Sequence, residues 1–292
     1  MRCRQAVLAF ALAWSAAAAA SVAVKDDLGN DIRLDRPARR IVSLSPHTTE
    51  LLYAAGAGPY VVGVSNYSDY PQAAKQIVSV GRIGTVDVEK ILTLKPDLIV
   101  AWHSGNSASQ VQKLRAFGIP VFESQPADYA MIASSLERLG ALSGTPEGNK
   151  AAADFRARRQ ALEQRYRNRS PVSVFYQIWS QPLMTLSGKH MASAVLRTCG
   201  GNNIFASLPQ LAPTVSIETV IAADPDAILA PDDAKEQPFE QWHRFGKMRA
   251  VANDNLFTVH ADWMNRPGPR ILDAVEQVCK MLDTVRDKPS EK

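Results

Sequence analysis

Two stretches of the chain repeat each other, and that repeat limits its fold more than any single motif. Val86 to Ala101 (VDVEKILTLKPDLIVA) and Val215 to Ala230 (VSIETVIAADPDAILA), 129 residues apart, are identical at six of sixteen positions. Ordinary residue frequencies would give about one. Each copy reads as a short helix, a Pro-Asp stop and a buried apolar strand ending LIVA or AILA. The chain is therefore expected to hold two similar α/β lobes, with a single ligand held between them.

The intervening sequence supports alternating strands and helices, the pattern of parallel sheets. Asp26 to Asp35 predicts a hairpin around Gly29-Asn30, and Arg40 to Leu44 a first core strand. Ser45 or Thr48 caps a helix that Gly56 and Gly58 end, Val61 to Val64 is a strand, and a loop follows through Asn66, Tyr67 and Pro71. Helices are expected over Gln110–Phe117, Tyr129–Leu142 and Ala192–Cys199, and strands over Pro120–Glu123, Val172–Ile178 and Leu256–Val259. A helix around Trp242 to Met248, a loop over Asp262–Arg270 and a final helix from Ile271 to Arg286 complete the pattern, with a charged tail to Lys292.

Glu147 to Arg169 has no proline, one glycine and many Ala, Arg, Glu and Gln, which predicts one long helix rather than a flexible hinge. As the covalent link between lobes it would act as a spine and limit their closure. The expected organisation is an N-terminal lobe over 21–146, the linking helix over 147–170 and a C-terminal lobe over 171–292.

Residues 1–20 read as a signal peptide. Arg2 and Arg4 precede an apolar run, Ala6 to Ala20, too short to span a bilayer. Cleavage after Ala20 or Ala23 fits the small-x-small rule, and Ala20 is favoured. Cys3 precedes the apolar run, where a lipid-bearing cysteine would follow it, so the mature chain is expected to be a soluble export. Its loss with two arginines leaves 31 basic against 29 acidic residues, a net charge of +2. Nucleic-acid binding has no support, because no basic cluster interleaves with aromatics. Arg156, Arg158, Arg159, Arg165, Arg167 and Arg169 alternate with Ala, Leu and Glu163 as a solvated helix face does.

Cys199 and Cys279, alone in an exported chain and without a CxxC motif, are expected to form a structural disulfide. Catalysis finds no GxSxG, HExxH, P-loop or GxGxxG, and His103, His190, His243 and His260 sit at spacings that define no metal cage. The chain is not expected to be an enzyme or to carry a resident cofactor.

RIVSLSPHTTELLYAAGA, GVSNYSDYP, VEKILTLKPDLIVAW, TCGGNNIF and ADWMNRPGPRI together resemble the periplasmic cobalamin-binding proteins of ABC importers, within the wider group of metal-chelate and siderophore binders. The resemblance runs from about Arg40 to Leu282. It implies a class III periplasmic binding protein: α/β, two Rossmann-like lobes joined by one long backbone helix. It also implies that a periplasmic monomer captures a corrinoid and hands it to an inner-membrane permease of two-fold symmetry.

Carried over residue by residue, the resemblance implies ligand contacts at Tyr67, Trp102, Asp262, Trp263 and Arg266. Flat apolar rings suit a corrin macrocycle, and Asp262 and Arg266 suit its amide side chains. Two departures stand out: Ile83 and Ala212 occupy positions where close relatives place tryptophans. His47 also stands where a small residue is usual. A lone histidine at a helix start reads first as a polar surface residue, with a metal centre as its second reading.

The alternative ligands are haem, with Tyr67 or His47 as axial ligand, and a ferric siderophore, which would call for several cleft arginines where only Arg266 and Arg82 qualify. Glu89 and Glu218 hold the same place in the two repeat copies, near helix starts that favour carboxylates. Related binders use such a pair to meet arginines on the two permease subunits.

Overall fold

The computed structural model describes residues 21–232 and 237–288; the signal-peptide reading of 1–20 and the end of the charged tail lie outside them. The chain opens with a hairpin, β1 (Val22–Lys25) against β2 (Asp31–Leu34), turned at Gly29 with φ +86°. Then come β3 (Ile41–Ser43), α1 (Pro46–Ala54), β4 (Val61–Val64), the small hairpin β5 (Gly81–Arg82) and β6 (Thr85–Val86), α2 (Val88–Thr93), β7 (Leu98–Trp102), α3 (Ala108–Ala116), β8 (Val121–Ser124) and α4 (Tyr129–Ser143). The first sheet has strand order β4-β3-β7-β8, parallel throughout.

Helix α5 (Glu147–Tyr166) then leads to the second half. Asn168, at φ 67°, turns the chain shortly after its end. There follow β9 (Val172–Trp179), β10 (Met184–Thr185), α6 (Met191–Thr198), β11 (Gly201–Asn203), α7 (Ile217–Ala223), β12 (Ala227–Pro231), α8 (Glu240–His243), α9 (Arg249–Ala252), β13 (Leu256–Val259), α10 (Ala261–Met264) and α11 (Ile271–Asp287). Here the order is β10-β9-β12-β13, with β11 also on β9 and only β10 antiparallel. Where one helix was expected from Trp242 to Met248 there are two short ones, separated by a turn at Gly246.

The repeat persists down to individual hydrogen bonds. Asp87 caps α2 by accepting from Lys90 N–H at 2.9 Å, and Ser216 caps α7 by accepting from Thr219 N–H at 3.2 Å. The residues before each Pro-Asp pair, Lys95 and Asp224, are both left-handed, with φ 47° and 42°. Each Asp then holds the start of the neighbouring strand: Asp97 accepts from Arg40 N–H at 2.9 Å beside β3, and Asp226 from Ser173 N–H at 2.8 Å in β9. The dipeptide thus stops the helix and sets the strand pairing.

The two halves share one core. It runs from Ile41, Leu98 and Phe122 through Leu139, Phe155 and Tyr166 to Val174, Val195, Val278 and Leu282. Separate apolar layers cover the other sheet faces, with Ile91 and Ile99 in the first half and Phe175 and Trp242 in the second. Helices α4 and α5 cross closely at two glycines; a Cβ on Gly140 would come within 2.9 Å of Gly148 Cα. Cys199 and Cys279 are bonded, with Cα atoms 4.7 Å apart, tying the end of α6 to α11. Arg156 and Arg158 of α5 are exposed, as a solvated face predicts, and also pair, Arg156 with Glu137 of α4 and Arg158 with Asp273 and Glu276 of α11.

Candidate functional site

In open parallel sheets, ligands bind beyond the carboxyl ends of the strands. Those edges of the two halves meet here. His47 and Glu50 lie on α1, just after β3; Tyr67, Asp69 and Tyr70 follow β4; Trp102 ends β7. From the second half, Asp262, Arg266 and Arg270 follow β13. Arg266 and Arg270 reach across to the first half and close a cluster of five charges.

Glu50 is at its centre, 3% exposed. Arg270 binds it with two nitrogens, Nε to Oε2 at 2.9 Å and Nη2 to Oε1 at 2.6 Å, and lies 4.0 Å above the Tyr70 ring. Arg266 approaches Glu50 at 3.4 Å, donates to Asp69 at 2.9 Å and pairs with Asp262 at 2.6 Å. Although burial opposes ionisation of Asp69, the Arg266 hydrogen bond and charge hold its carboxyl below the usual range. Two guanidiniums thus face three carboxylates, and the positive charge contributed by the second half is fully compensated.

The serine before α1 explains the local geometry. Ser45 and Thr48 form a capping box, and Ser43 Oγ joins Thr48 and Thr49 at 2.7 and 2.8 Å. This network sets His47 inward. Contrary to the surface position expected of it, His47 is 2% exposed, because its ring packs edge-on to Trp102 with centroids 5.4 Å apart. Its Nδ1 lies 3.0 Å from Ser45 Oγ, while Nε2 is buried without a partner. Burial, and secondarily the Arg266 charge, lowers its pKa from 6.5 to about 3.

Trp102 is half-buried; its backbone N–H donates to Asn106 Oδ1 at 2.6 Å, and its indole leaves no room for a side chain at Gly105, where a Cβ would overlap the ring. Tyr67 is 73% exposed at φ 65°, a conformation costly for a bulky residue, on a loop held by Asn66 N–H to Gly81 O at 2.7 Å. Ile83 is half-buried, its carbonyl accepting from Asn106 Nδ2, and Ala212 is exposed.

Trp263 has different surroundings. The segment expected as a loop begins with α10, which turns the indole onto His260, stacked at 4.4 Å, and into a depression with Phe257, Gln277, Lys280 and Met281. Sequence reasoning missed Glu50, Asp69 and Arg270, though all three stand within its motifs. Glu89 and Glu218 are exposed in the first turns of α2 and α7. The backbone N–H of Glu218, then the Ser216 hydroxyl, lowers that carboxyl's pKa.

The buried imidazoles give the protein a sign-defined acid response. His190 caps α6 by accepting from Ala192 N–H at 3.1 Å, and burial lowers its pKa from 6.5 to about 4. With folded pKa values below the unfolded one, both contribute stability that is complete above pH 6.5 and lost as pH falls toward 4 and then 3. Stability is therefore expected to fall between pH 6.5 and 4.5, before ordinary glutamates titrate. His47→Gln should flatten that slope in urea titrations; an unchanged slope would remove His47 as its source.

Comparison with known proteins identifies the family and the fold. Residues 41–263 match the family described as periplasmic binding protein. The vitamin B12-binding protein of Vibrio cholerae is 45% identical over 249 residues, 84% of this chain and 90% of the relative. The crystal structure of the periplasmic vitamin B12 binding protein of Vibrio cholerae superposes with TM-score 0.80 at 44% identity, covering 86% of this chain and 99% of that one. A periplasmic heme-binding protein from Roseiflexus sp. RS-1 shares the fold, with TM-score 0.76 at 23% identity, over 85% and 99% of the two chains.

Proposed function

Because the chain belongs to the periplasmic binding protein family, we propose that it captures cobalamin between a lobe of residues 21–146 and one of residues 171–292, joined through 147–170, and delivers it to an ABC import permease. The observation that carries the corrinoid over the alternatives is the compensated charge at the meeting edges. Arg266 and Arg270 are engaged by Glu50, Asp69 and Asp262, which suits a ligand rimmed by neutral amides and leaves little for the carboxylates of haem or an anionic siderophore. His47 Nε2 is shut off from solvent, so an axial role toward haem iron would require its neighbours to move.

In this reading Tyr67 and Trp102 meet the corrin, Asp262 and Arg266 bind its amides, Ile83 and Ala212 leave room at the rim, and Trp263 buttresses α10. Tyr67→Ala and Trp102→Ala are each expected to weaken cyanocobalamin binding by about 1 to 3 kcal/mol in calorimetric titrations. Unchanged affinity in both would remove these rings from the site. The protein works as a periplasmic monomer, exported by residues 1–20. Cleavage after Ala20 preserves the β1 ladder, in which Val22 and Ala23 pair with Leu34 and Arg33.

Glu89 and Glu218 dock the two lobes on arginines of a two-fold symmetric permease. Charge complementarity at exposed positions sets orientation and encounter more than ligand affinity. The Glu89→Lys, Glu218→Lys double variant is expected to bind ligand as wild type but to lose vitamin uptake in cells lacking their own binder. Normal uptake would remove these residues from the interface.

A further inference from the structure

We propose that Asp69 sets the selectivity of the site: with Arg266 it forms a donor–acceptor couple, one member from each half, that parts to admit a neutral primary amide and turns a carboxylate away. This rests on the corrinoid reading above and names the residue that makes Arg266 choose amides. Three carboxylates face Arg266, and they are not equivalent. Glu50, with a side chain 2% exposed, is already occupied by two nitrogens of Arg270, and Arg266 reaches it only at 3.4 Å. Asp262 stands four residues before Arg266 on the same half, so their 2.6 Å pair does not depend on how the halves sit.

Asp69 differs from both, because it combines a short contact, 2.9 Å to Arg266 Nη1, with an origin in the opposite half and a side chain 45% exposed. Water already reaches its carboxylate, so this is the pair that an arriving ligand can separate at little cost. The two groups it releases have complementary needs: a guanidinium only donates hydrogen bonds, and a carboxylate only accepts them. A primary amide does both. Its carbonyl can accept from Arg266 Nη1 while its NH2 donates to Asp69 Oδ1, so each protein group regains the hydrogen bond it gave up. A carboxylate in the same place satisfies Arg266 alone, because it has no proton for Asp69. It also sets a third negative charge beside those of Asp69 and Asp262, and like charges brought together disfavour the wrong partner. The filter is set at neutral pH: although burial opposes ionisation, the Arg266 hydrogen bond and charge keep Asp69 an anion there.

The test is calorimetric titration, at neutral pH, of cyanocobalamin and of the separated monocarboxylic acids made from it by hydrolysing one peripheral amide. The proteins are wild type, Asp69→Asn and, for the same change of charge far from the site, Asp31→Asn on the exposed face of the β1–β2 hairpin. The readout is the ratio of acid to amide affinity within each protein, which an overall change in binding does not move. Wild type is expected to hold at least one of the acids about tenfold or more weaker than cyanocobalamin. In Asp69→Asn, whose side-chain NH2 can donate to a carboxylate, that ratio should fall to within about threefold, while Asp31→Asn keeps the wild-type ratio. A wild type that binds cyanocobalamin and every acid within about twofold of it, an Asp69→Asn protein that keeps the wild-type ratio, or an Asp31→Asn protein that loses it equally would each overturn this assignment alone. A wild type without affinity for cyanocobalamin overturns the corrinoid reading itself.

Discussion

Replacing Glu50 with Gln is expected to lower the unfolding free energy by about 3 kcal/mol, the low end of what removing one partner of a buried ion pair costs. Glu50 accepts both nitrogens of Arg270 and the approach of Arg266, and the side chains of these arginines are each only 15% exposed. Without the carboxylate, Arg270 keeps only its 3.9 Å approach to Asp262 and its stacking on Tyr70. Arg266 keeps Asp69 and Asp262 and suffers less. The loss should appear as a lower urea midpoint. It should also appear as a larger radius of gyration in solution scattering, because the cluster is a direct tie between the halves at the ligand edge. A Glu50→Gln protein with wild-type midpoint and dimensions would show that the cluster neither stabilises the fold nor sets the angle between its halves.

Converting Cys199 and Cys279 together to Ala is expected to cost about 4 kcal/mol, from the chain-entropy effect of opening a loop of 80 residues. Both sulfur-bearing residues are fully buried where α6 packs on α11, so Ala leaves little polar disturbance and the change reads mainly the lost constraint. The same shift should follow from reducing agent on wild type and be absent from the double variant. If reduction moved both proteins equally, the effect would lie elsewhere in the chain.

What the sequence revealed and what it hid divide along a physical line. The repeat, its strands and the helix from Glu147 were legible because each is governed by local chemistry: capping residues, a Pro-Asp stop, apolar runs and high helix propensity. The burial of Glu50 was not. SPHTTE reads as the polar opening of a surface helix, and the groups that make an inward carboxylate tolerable lie 216 and 220 residues further along the chain. His47 was misread for the same reason, since its neighbour Trp102 comes from another strand.

Trp263 shows a subtler limit. The motif fixed its position after β13, but the single turn of α10 decides which way the indole points, and Ala-Asp-Trp-Met carries no strong signal for such a turn. Between α8 and α9 the five residues Arg244 to Met248 are turn and bend rather than helix, where the apolar spacing alone predicts a continuous helix.

The charge-compensated site where the two sheet edges meet is proposed to bind a corrinoid. Calorimetric titration of the purified, processed protein with cyanocobalamin, haemin and a ferric siderophore in turn measures this directly. The expected result is saturable one-to-one heat with cyanocobalamin and none of comparable affinity with the other two. Tight haemin binding with no corrinoid heat would contradict it.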